Sequence, residues 1–271
     1  MRNNTELFRI SHIKYGIKCI SSSIAILNNS YISDEPYMID SYLSVVNISK
    51  SFIVDIKTSK EVIRIVSSNL TIDRTNIFGI SSITSSPQLI TLSDDSYFSM
   101  AYCHYHNSSL QFLRTVSSSV KIMKSNFDDI ELNGRLVVIL NSNANAIDDV
   151  NITNTNTTSQ SLVYASNSHF TIINKLSMTY LDATAFVFFH STIDAINMSV
   201  FGNAPSGLEI AHSHVGIITL SSFMLLGNPD ISIGSAVLIQ DSSSTIDNCN
   251  FASNMAKDGA AIAIVCTQYE T

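Results

Sequence analysis

The chain has little charge. Only 14% of its 271 residues are Asp, Glu, Lys or Arg, and the balance is acidic at −7. Its 15 Lys and Arg form no basic cluster, which argues against phosphate recognition and excludes nucleic acid as an expected partner. Ala, Leu, Glu and Lys are scarce, so good helix formers are few. No stretch approaches the roughly 18 uninterrupted apolar residues of a membrane helix, so no membrane span is expected. Four cysteines are too few for a disulfide scaffold, and no CxxC pair suggests zinc. Cys19 and Cys103 read as small apolar fillers, while Cys249 and Cys266 could pair in an oxidising compartment. The N-terminal stretch lacks the apolar core of a signal peptide; either the protein is not secreted or this chain is a piece of a longer one.

What is present is apolar, polar-neutral and periodic. Hydrophobic residues make up 45% of the chain, which is too many for disorder, and Ser, Thr and Asn fill much of the rest. A recurring frame places a serine between two short apolar alternations. Around Ser213 stand Leu208 and Ile210, then Val215 and Ile217; around Ser168 stand Val163 and Ala165, then Phe170 and Ile172. The frame fits Ser22, Ser41, Ser68, Ser96, Ser118, Ser142, Ser168, Ser191, Ser213 and Ser242. The fourth residue after each is apolar: Ile26, Val45, Ile72, Met100, Ile122, Ala146, Ile172, Ala195, Ile217 and Ile246. A large apolar residue often follows, at Phe52, Phe78, Phe127, Ile152, Met178, Phe201, Phe223 and Phe251. All four prolines and most glycines come after it and before the next unit.

Period-two alternation on both sides of a small polar corner predicts strand, corner, strand, bend and loop. The corners lack the Asn-Gly signals of hairpins, and the consensus of leucine-rich repeats is missing. The expected architecture is all-β: a right-handed single-stranded parallel β-helix of about ten coils of roughly 24 residues. It would form a single domain over 1–271, with 1–20 an irregular or capping start. Inward Ile, Val and Phe would stack into a continuous core, and Ile172, Ala195 and Ile217 should line up inside it. At the corners the serines should stack as a ladder, from Ser68 through Ser242.

The segment "FASNMAKDGAAIAI", residues 251 to 264, resembles the FxxN…GGA(I/L/V) repeat of polymorphic outer membrane proteins. It is also similar to repeats in the pectin-lyase-like surface proteins of ciliated protists. Phe251 and Asn254 match the first half; Gly259, with Ala260, Ala261 and Ile262, matches the second with one Gly replaced. Phe201 and Phe223 open weaker copies. The resemblance implies a β-helix at the cell surface or outside the cell, with a structural or adhesive role and glycans or other surface proteins as partners.

The residues themselves assign no catalytic or cofactor-binding position. The pairs Asp94-Asp95, Asp128-Asp129 and Asp148-Asp149 fall at three phases of the repeat, so they should face three sides and read as solvated corner residues. His190 and His212 precede the serine in adjacent units; stacked imidazoles there could bind a metal or form a polar ladder with Asn167 and its neighbours. His104 and His106 share one strand face and carry the same two readings. Sequons at Asn3, Asn28, Asn47, Asn69, Asn107, Asn151, Asn156 and Asn197 are close to what composition alone gives. Two functions remain. One is a non-enzymatic solenoid segment of a larger surface protein. The other is a carbohydrate-active β-helix enzyme or an inactive sugar-binding relative, which acidic and aromatic residues gathered in one groove would favour.

Overall fold

The structure, a computed structural model, describes residues 4–8, 17–20, 23–27, 30–31, 39–58, 61–82, 87–202, 204–227 and 236–266, with side chains described at Ile20 and from residue 39 onward. The described residues hold strands and no helix, so no helix is long and apolar enough to cross a membrane. All pairings are parallel, in sheets of 17, 11 and 2 strands. The chain is a parallel β-solenoid of about 24 residues per turn. Nine turns between Ile39 and Ala252 place a strand in each of the two large sheets. The stretch 1–20, expected to be irregular or capping, contributes Asn4–Phe8, paired with Ser23–Leu27, and Ile17–Ile20, paired with Ile39–Tyr42.

Corner chemistry sets the winding. The backbone N–H of Ser44 donates to the Oγ of Ser68 at 2.9 Å, and the relation repeats through Ser96, Ser118, Ser142, Ser168, Ser191, Ser213 and Ser242. Most of these hydroxyls also donate to the carbonyl two residues earlier, as Ser68 does to Val66 at 2.7 Å. Each serine therefore satisfies a backbone acceptor of its own turn and a buried donor of the preceding one. The residue before it adopts left-handed backbone, from Leu43 through Asp241. A second corner uses Ser51, Thr75, Cys103, Ser125, Ser221 and Cys249 in the same way toward the carbonyl two residues back.

Several expected positions shift. Ser41 is not a corner; it lies buried on strand Ile39–Tyr42 opposite Ile65, its hydroxyl unpartnered among the described residues, and Ser44 holds the corner. Ser22 lies outside the described residues. Ile72, Met100 and Ile122 are buried, but Val45 is 38% and Ile172 40% exposed, while Ala146, Ala195 and Ile217 are half-buried. Ala146 does pair with Ile172, and Ala195 with Ile217, so these residues lie in register but not inside. Val45 follows directly on the Ser44 corner; for the other four the cause is an irregularity in the strands that begin at Asn145, His169 and His214. One extra residue there moves the second inward position from the fourth to the fifth after the serine: Ile147, Ile173, Ile196 and Ile218 are buried. A one-residue slip likewise turns Phe52, Phe78 and Phe201 outward, and the inward file runs Ile53, Ile77, Tyr105, Phe127, Ile152, Met178, Val200, Phe223 and Phe251.

Candidate functional site: a groove along the third corner

The third corner follows the short second face of the long sheet. Its left-handed position carries Gly79 (φ 67°), Asn107, Asp129, Asn154 and Tyr180 in successive turns. Asn, Asp and Gly adopt this conformation at least cost, which is why polar residues recur at this phase. Parallel register stacks the five residues into a ridge beside a groove of about 960 Å³. The groove spans five turns, a length on the order of 19 Å at the usual strand spacing. Its outer walls include Glu131, Asn156 and Asp182, and Ile80 and Leu181 are buried beneath it.

The polar groups of the groove fall into two sets. Asp129 accepts from Asn154 Nδ2 at 3.2 Å and Asp182 from the backbone N–H of Thr157 at 2.8 Å, so both link adjacent turns. Glu131, the Tyr180 hydroxyl and the side chains of Asn107 and Asn156 have no hydrogen-bond partner among the described residues. Tyr180 is 58% exposed, and Phe201 meets its ring edge-on at 6.1 Å. Gly202 (φ 88°) leaves room for it, since a Cβ there would come within 3.3 Å of Tyr180 Cδ1. Among the described residues no Lys or Arg lines the groove.

On the remaining outer face several polar side chains bond one another from turn to turn. Asn151 donates to Asn126, Asn174 to Asp148 and Asn197 to Asn174. His104 contacts Asp128, and His106 lies 3.1 Å from the amide oxygen of Asn76. Burial, with His104 stacked against it at 4.2 Å, holds the His106 pKa below its ordinary value, while Asp128 and Asp129 oppose this. The three aspartate pairs do face three sides: Asp95, Asp129 and Asp149 occupy the first, third and second corners. Asp128, Asp129 and Asp148 are more than solvated, since each is tied to an adjacent turn.

His190 and His212 stack at 5.1 Å with rings 19° from parallel, Phe189 against both, and His212 lies 3.9 Å from Asp241. Among the described residues no group of three or more His, Cys, Asp or Glu side chains is placed to hold a metal ion. Cys249 and Cys266 are free rather than bridged; Cys249 serves as a corner donor and Cys266 is exposed. The repeat-motif residues have structural tasks: Phe223 and Phe251 stack at 5.5 Å, Asn254 bonds Leu226 N–H and the Phe223 carbonyl across a turn, and Gly259 takes φ 65°. None of the groove residues belongs to the expected site set. Their signal was the return of Asn, Asp and Gly at one phase, which shows only once the corners are indexed.

No protein-family model matches the chain, and no curated protein is significantly similar to it. Among solved structures, the chain is similar to an endo-xylogalacturonan hydrolase from Aspergillus tubingensis, at 11% identity and TM-score 0.47, over 98% of this chain and 91% of that one. It is also similar to the surface protein and adhesin PfbA of Streptococcus pneumoniae, at 9% identity and TM-score 0.41, over 91% of each. At these identities and scores neither likeness carries a residue role to this chain.

Proposed function

We propose that the chain is a non-enzymatic β-solenoid segment of a cell-surface or extracellular protein, with a structural or adhesive role, and that it holds carbohydrate in the third-corner groove. The observation that carries the reading is the gathering of open hydrogen-bonding groups in one groove. On the neighbouring face several outward polar side chains bond one another from turn to turn; in the groove, Glu131, Tyr180, Asn107 and Asn156 are left for a ligand. A rigid array of donors, acceptors and one aromatic ring, repeated at strand spacing, suits an extended polymer rather than a compact metabolite.

A second reading has its own support, because Asp129, Glu131, Asp182 and Tyr180 do gather in one groove. Glycoside hydrolysis needs one carboxyl kept protonated as the acid and another as base or nucleophile. An apolar enclosure is the usual means, and here all three carboxylates are exposed. Two of them already accept bonds from adjacent turns. The test is to incubate the purified chain with a panel of neutral and acidic polysaccharides while measuring retention and released reducing ends. Retention without product is expected. Product formation that disappears in Glu131→Gln would replace the adhesive reading with the enzymatic one.

A further inference from the structure

We infer that the groove selects neutral, hydroxyl-rich glycan chains and rejects uronate chains; this rests on the groove being the carbohydrate-binding surface. Among the described residues the lining presents three carboxylates, from Asp129, Glu131 and Asp182, and no cation. Sugar hydroxyls donate to such acceptors in charge-assisted hydrogen bonds, whereas a uronate carboxylate would add a like charge that no described residue of the lining offsets. The free amides of Asn107 and Asn156 supply donors as well as acceptors, as a polyhydroxylated ligand requires. Tyr180 stands exposed at one end, its ring braced by Phe201, so that it can cover the C–H face of one sugar unit. The ridge and the groove run along the solenoid axis, so successive sugars meet successive turns.

The test is calorimetric titration of the folded chain with three probes of equal length: xylose oligosaccharides, glucose oligosaccharides and galacturonate oligosaccharides. Binding of a neutral probe with no measurable uronate binding is expected. Tyr180→Asn, which keeps a side chain suited to left-handed backbone, should weaken the neutral probe by roughly three- to tenfold, the scale of one aromatic contact. Glu131→Lys should admit the uronate. Unchanged thermal melting of both variants separates lost contacts from lost folding. Uronate binding equal to or tighter than neutral binding overturns the inference while leaving carbohydrate binding in place. Failure of all three probes overturns the binding reading itself.

Discussion

The backbone N–H of Ser118 donates to the Oγ of Ser142 at 3.3 Å, and that hydroxyl donates to the carbonyl of Leu140 at 2.8 Å. Both serines are buried, so no water replaces either bond. Ser142→Ala therefore leaves the Ser118 N–H of the preceding turn unpaired, at a cost of about 1–3 kcal/mol, while the Leu140 carbonyl keeps its bond from the Ser117 N–H at 3.0 Å. Ser142→Cys should cost less, because Cys103 and Cys249 already make such bonds at the second corner. Urea unfolding of the two variants is the check; an alanine variant as stable as the parent would mean the column carries no stability.

Ile217 and Ile218 are neighbours in sequence with opposite fates. Ile218 is fully buried between Ile196 and Ile246, while Ile217 is half-buried on the outer side. Ile218→Asp should unfold the adjoining turns, since an unpaired carboxylate in the stack costs more than a lost contact. Ile217→Asp should cost about 1 kcal/mol or less. Circular dichroism melts that rank the pair the other way would invert the assignment of faces from Ile147 to Ile218.

That reversal shows what the residues did and did not disclose. Corner serines were legible because each turn needs a small side chain that both donates and accepts, and the apolar residues around them keep the phase. Ser41 and Ser44 stand only three residues apart, and both frames put apolar residues nearby; turn-to-turn pairing alone separates them. The extra residue near Asn145 has no marker, since Ala146 and Ile147 are equally apolar and period-two alternation accepts either. The groove was harder still. Asn107, Asp129, Asn154 and Tyr180 come from four turns, and only parallel register makes them neighbours.

Cys103 is buried where the preceding and following turns place Thr75 and Ser125. Its thiol donates to the Ala101 carbonyl and accepts from the Thr75 N–H, the bonds a hydroxyl would make. Cys103→Ser should therefore leave stability within about 1 kcal/mol of the parent. Burial pushes the thiol pKa up to about 11, so Cys103 should resist alkylation in the folded chain while exposed Cys266 reacts. Mass spectrometry after a short iodoacetamide pulse reads this directly, and early labelling of Cys103 would show that its corner opens.

Glu209 sits on the 11-stranded sheet between Val187 and Leu238 of the adjoining turns, and Thr184 Oγ1 donates to its Oε1 at 3.1 Å. Burial raises its pKa, an effect only partly opposed by that hydrogen bond. The native state thus holds the proton more tightly than the unfolded chain does. The stabilising contribution is present below the unfolded carboxyl value, near pH 4, and is lost as pH climbs through the raised native value. Glu209→Gln keeps an oxygen for Thr184 and removes the charge. Its melting temperature should match the parent's at about pH 4 and exceed it at about pH 7. A variant less stable than the parent at neutral pH would mean that the ionised carboxylate is held by a favourable contact, and that the apolar flanks of Val187 and Leu238 do not govern the site.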